Sequence, residues 1–221
     1  MMSNSATGSK LSDLQGFAGD FAPMFEQLGS PAGLAAVTGG PFGIGLNQVS
    51  NLAELRSFLE TYRDQILVPV EWPATIQACE HATRGEVREL IALDRRLDEA
   101  HGNMPFAEAS RRAGRIQLKR LRPLRDNRVV QRYLKALDSG DATGWHTIVY
   151  GVMLSLYSIP LRQGLLHYAT QTQASLIQSA GRCFKITDED RTALLDQINV
   201  GIISRIETVL GPQSGPTLKI A

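Results

Sequence analysis

Residues 146–181 read HTIVYGVMLSLYSIPLRQGLLHYATQTQASLIQSAG. The pieces 146–158 and 160–181 are apolar round most of their circumference, joined at Ile159-Pro160-Leu161. A helix with no polar face has to be enclosed by other helices. These two therefore form the centre of the molecule, and the rest of the chain should supply their walls. No stretch alternates apolar and polar residues with period two, and no self-similar period recurs, so the expected fold is all-α: a compact single-domain helical bundle.

Working outward, residues 108–124 form an arginine-rich helix that buries Ala109, Ala113 and Ile116 on one stripe together with Phe106. A helix from about residue 127 to 137 buries Val130, Tyr133, Leu134 and Leu137. Upstream, Asn51 with Glu54 caps a helix carrying Leu52, Leu55, Leu59, Tyr62 and Ile66. A second helix is expected to follow Pro69, burying Trp72, Ile76 and Cys79. Thr83 with Glu86 predicts a capping box for a third, whose inner stripe is Val87, Leu90, Ile91, Asp94 and Leu97, and Gly102 is expected to close it in the left-handed conformation. Thr187 and Asp190 box a final helix that runs to Gly211-Pro212.

The chain of 221 residues is 43% hydrophobic with a net charge of +1, which suits one domain able to bury a full core. The main domain is expected over residues 11–211, between polar tails at 1–10 and 212–221. Two cysteines, Cys79 and Cys183, fit a reducing compartment. Neither a signal-peptide pattern nor a spanning apolar run is present, which predicts a soluble, cytoplasmic protein that does not engage a membrane.

Motifs of bond-making chemistry are scarce. His81, His101, His146 and His167 include no pair three or four apart, so neither a metal site nor a catalytic role is expected. Cys79-Glu80-His81 is the nearest approach to a ligand cluster, but Cys79 falls on an apolar stripe. Gly39, Gly40, Gly43 and Gly45 lack the lysine and the preceding strand of a phosphate loop; a tight turn pinned by Phe42 and Leu46 explains them better. No catalytic residue, metal or cofactor is expected. Arg111, Arg112, Arg115, Lys119, Arg120, Arg122, Arg125, Arg128 and Arg132 stand against the single acid Asp126 within residues 111–132. That run suits an acidic protein partner, a solvated face, or phosphate contacts; with Tyr133 the only aromatic nearby to stack on a base, nucleic acid ranks last.

Within that helix, Glu108-Ala109-Ser110-Arg111-Arg112-Ala113-Gly114-Arg115 resembles the Arg-x-x-Ser-x-Gln-Met-Gly-Arg helix of the urease accessory protein UreF family. The likeness continues through Val149-Tyr150-Gly151, Ile159-Pro160-Leu161, and Gln173 with Ser179-Ala180-Gly181-Arg182. Near the start, Gln27-Leu28-Gly29-Ser30-Pro31-Ala32, Gly39-Gly40 and Phe42 are similar to that family's Leu-Ala-Ser-Pro-Ala-Leu-Pro-Val-Gly-Gly-Phe. The chain departs from the pattern where Pro41 interrupts the glycine loop, where neutral Asn47 replaces an acid, and after Gly211, where the C-terminal His-Glu motif is missing. The resemblance implies a non-enzymatic, dimeric maturation chaperone that binds UreD (UreH)-type and UreG-type proteins and assists nickel delivery to apo-urease. Carried onto this chain, the implied partner-binding residues are Gly39, Gly40, Phe42, Gly45, Leu46, Ser110, Arg111, Gly114, Arg115, Gln173, Ser179 and Arg182.

Overall fold

The computed structural model describes residues 46–104 and 106–211, and among them it is helical with no strand. After a short turn of 3-10 helix at Leu46–Gln48 come α1 (Leu52–Tyr62), α2 (Trp72–Arg84), α3 (Val87–His101), α4 (Ala107–Arg120) and α5 (Arg128–Asp138). They are followed by α6 (His146–Leu156), α7 (Leu161–Ala180), α8 (Asp188–Asn199) and α9 (Ile202–Leu210). The predicted tails at 1–10 and 212–221 and the glycine loop at 39–45 lie outside the described residues.

Helix α6 sits at the centre, as its lack of a polar face requires: every residue from His146 to Leu154 is buried. Its main neighbour is α2, with α4 on another side and α3 behind. The α2–α6 crossing is close because Gly151 has no side chain. A β-carbon there would stand 2.5 Å from the Thr75 carbonyl oxygen and 2.7 Å from the Ala78 β-carbon. Helix α7 packs against α9, α8 and α1, so the second apolar helix is also enclosed. Trp72, Leu90, Tyr133, Trp145, Tyr150, Tyr168 and Ile202 belong to the one hydrophobic cluster that runs through these helices.

Two expected caps form, and Asn127 supplies a third. Asn51 Oδ1 accepts from Glu54 N at 2.9 Å and Asn127 Oδ1 from Val130 N at 3.0 Å. Thr187 and Asp190 make a reciprocal capping box whose carboxylate accepts from the Thr187 hydroxyl at 2.6 Å.

Three expectations are corrected and one is refined. A helix, α2, does follow Pro69, but it is not separated from α1: the chain stays helical between them through a π-helical segment, Arg63–Glu71, that holds Pro69 inside it. The wider π turn accommodates a ring that has no N–H to return to the preceding turn. Thr83 does not cap α3; its hydroxyl donates to the Cys79 carbonyl at 2.8 Å as part of α2, and the turn is made by Gly85 at φ 70°. Gly102 is right-handed, at φ −61°. The last helix is two, broken at Val200-Gly201, with Gly201 left-handed at φ 74°.

Candidate functional site

The arginine-rich helix α4 meets the chain at residues 141–146, the entry to α6. Asp94, fully buried on α3, accepts from the backbone N–H groups of Thr143 at 2.7 Å, Gly144 at 3.0 Å and Trp145 at 3.2 Å, and from the Thr143 hydroxyl at 3.0 Å. A carboxylate set against the N–H groups that open a helix satisfies donors with no partner inside it and complements the positive end of its dipole. Burial, and then the nearby Asp94 charge, push the Tyr133 hydroxyl well above its ordinary value of 10.

Four residues of the sequence motif converge on the same loop. Ser110 Oγ accepts from His146 N at 3.3 Å. Gly114 lets the backbones touch: a β-carbon on it would lie 2.1 Å from the Gly144 carbonyl oxygen and 2.7 Å from His146 N. Arg115 Nε donates to the Thr143 carbonyl at 2.8 Å. Arg111 donates to Asp98 at 2.6 Å and Glu108 at 3.1 Å, with its guanidinium carbon 5.9 Å from the centre of the Trp145 ring, while Trp145 Nε1 also donates to Asp98 at 2.9 Å. Ser110, Arg111, Gly114 and Arg115 thus tie α4 to the entrance of α6. Of these, Ser110 and Gly114 are buried and Arg115 is exposed.

The other predicted contacts divide in the same way. Leu46 is fully buried in the core, Gln173 is fully buried in the middle of α7, and Ser179 is buried near its end. In this conformation these three side chains, like Ser110 and Gly114, are packed inside. Both amide atoms of Gln173 lack a hydrogen-bond partner among the described residues. Arg182, just past α7, is exposed. Gly39, Gly40, Phe42 and Gly45 lie outside the described residues.

Sequence reading missed a second buried polar group. Glu71, 3% exposed at the end of the π segment, accepts from the Tyr62 hydroxyl at 2.7 Å. Burial raises its carboxyl to about 7, with the Tyr62 and Tyr168 hydroxyls pulling the other way. Tyr168 packs edge-on against Tyr150 at 5.0 Å, and His146 stacks on Tyr150 at 6.0 Å. The available signal for Asp94 was an acid on an otherwise apolar stripe; Glu71, next to Trp72, had no comparable periodic context.

The basic run has more acids near it than linear sequence showed. Arg111 pairs with Asp98 and Glu108, and both oxygens of Asp138 accept from Arg122 at 2.9 Å. Arg112, Lys119, Arg120, Arg125, Arg128 and Arg132 are exposed and form no ion pair among the described residues. Among those residues no group of three His, Cys, Asp or Glu side chains could hold a metal ion. No helix among them is long and apolar enough to cross a membrane.

No curated protein matches the chain. The UreF family model matches residues 49–199, a span that takes in the α4 motif, the Asp94 clamp and both central helices. On that match the chain belongs to the UreF family of urease accessory proteins.

Proposed function

We propose that this chain serves urease maturation as a non-catalytic docking factor: it binds UreD (UreH)-type and UreG-type accessory proteins, as a homodimer in the cytoplasm, and helps that assembly deliver nickel to apo-urease. The observation that carries this reading is the family match across the helical core. The exposed side chains of Arg182, just past α7, and Arg115, in the middle of α4, supply charged contacts, and the sequence motif of Gly39, Gly40, Phe42 and Gly45 is counted with them as partner-binding. Association of this kind depends on shape and charge complementarity, which rigid helices provide.

The test is co-elution of the purified chain with UreD-type and UreG-type proteins encoded beside it, followed by activation of apo-urease with nickel. Formation of a complex that raises urease activity is the expected result. Separate elution of every component would refute the reading.

A further inference from the structure

The turn between α4 and α5 is held rigidly and carries an unbalanced charge. Leu121 is buried and anchors it, Leu124 N donates to the Leu121 carbonyl at 3.0 Å, and Asn127 N donates to the Leu124 carbonyl at 3.2 Å. From α5, Gln131 Nε2 donates to the carbonyls of Arg122 at 3.2 Å and Leu124 at 3.0 Å. Around this fixed backbone Arg120, Arg125, Arg128 and Arg132 are exposed and lack ion pairs among the described residues, whereas their neighbour Arg122 is neutralised by Asp138. An open groove of about 640 Å³ lies against the turn, lined by Pro123, Leu124, Arg125, Asp126, Asn127 and Leu156. Leu124 remains 38% exposed beside it, and Tyr157, next to Leu156 in the chain, is 42% exposed.

We propose that the α4–α5 turn is a docking site for an acidic, partly apolar segment of a partner protein, whose carboxylates pair with Arg120, Arg125, Arg128 and Arg132 while an apolar side chain packs on Leu124 in the groove. Four like charges on the stiff turn and on the flanking ends of α4 and α5 repel one another, and an external acid removes that repulsion. The cations are all arginine, whose planar fork pairs with a carboxylate through two hydrogen bonds. An exposed apolar side chain with an arginine beside it in a groove is the composition of a protein interface centre. A nucleic acid fits less well, because its backbone repeats a phosphate at every unit and offers no aliphatic side chain to cover the exposed Leu124. The inference rests on the accessory-protein reading in taking the occupant to be a protein, and it adds the surface and the chemistry of the segment bound.

The experiment measures anisotropy of a labelled peptide of about twelve residues alternating glutamate with leucine, titrated with the full chain at low and at moderate salt. The comparison variants are Arg125→Glu with Arg128→Glu, Leu124→Ser alone, and Arg88→Glu with Arg96→Glu on α3 as a control. Circular dichroism melts establish that each is folded. The expected result is an affinity about tenfold weaker or more for the double reversal and severalfold weaker for Leu124→Ser, with the α3 control unchanged. Equal affinity in all variants, or an equal loss in the control, overturns the proposal. So does tighter binding of a short DNA duplex than of the peptide at the same salt. If the peptide result holds while the chain fails to co-elute with UreD-type and UreG-type proteins, the docking site stands and the proposed function falls.

Discussion

At the scale of single residues, the weight falls on groups buried with their charge or without their side chain. Glu71 is the clearest pH-dependent case. Its carboxyl is raised from 4.5 to about 7, so between those values the folded chain holds a proton that the unfolded chain has released. Stability therefore falls as pH rises through that window, and the penalty, on the order of 3 kcal/mol at most, is complete above it. Glu71→Gln should flatten the slope and raise the melting temperature at alkaline pH, while changing little at acid pH; a slope unchanged in thermal melts across pH would remove Glu71 as its source. Gly114→Ala makes a different prediction. The added carbon meets backbone atoms that cannot swing aside, so a loss of about 2–3 kcal/mol is expected in urea unfolding, and Gly85→Ala, with open space around it, should cost less. The likeness of residues 108–115 to a family motif was legible in sequence, but its physical role was not. Ser110 and Gly114 look like surface residues of a charged helix until the loop at 143–146 is placed against them, some thirty residues away in the chain.

At the scale of elements, the periodicity of apolar residues located the helices well because burial stripes are a local property. The core positions Leu55, Leu59, Val130 and Leu134 all followed from spacing alone or from the caps beside them. What spacing did not locate were continuations and breaks. Pro69 reads as a boundary because the ring removes a hydrogen bond, yet the surrounding contacts kept the helix going by widening its turn. Conversely, nothing between Leu194 and Ile206 stops the periodic pattern, and the break at Gly201 depends on its left-handed φ of 74°. Gly201→Ala should therefore cost about 1 kcal/mol and lower the melting temperature by a few degrees, since a β-carbon there meets no neighbour and only the backbone conformation is penalised. A melting temperature equal to or above the parent's would show that the hinge relaxes freely.

Over the whole molecule, two of the three arginines carried over from the family pattern, Arg115 and Arg182, separate into different roles. Arg182 is exposed and takes no ion pair among the described residues, so Arg182→Glu should leave the urea midpoint unchanged while weakening assembly with UreD-type and UreG-type proteins in gel filtration. Arg115 donates to the Thr143 carbonyl, so Arg115→Glu should lower the midpoint modestly, by about 1 kcal/mol, as well as weakening assembly. A large shift in midpoint for Arg182→Glu would show that its part is structural. The all-helical architecture was legible because two long segments have no polar face; the placing of the charges was not, since Asp98 and Asp138 reach their arginines from other helices.

The seating of α6 has a consequence for how the chain is made. Three of the helices that wall it, α2, α3 and α4, precede it in the sequence, as does the carboxylate that receives the N–H groups leading into it, while α7 closes the remaining side with Tyr168 against Tyr150. During synthesis the cradle has already left the ribosome when the greasiest helix emerges, and that segment can be sheltered at once instead of waiting in water. A circular permutant that begins at residue 146 reverses this order of appearance, and inclusion bodies in place of soluble protein are its expected fate.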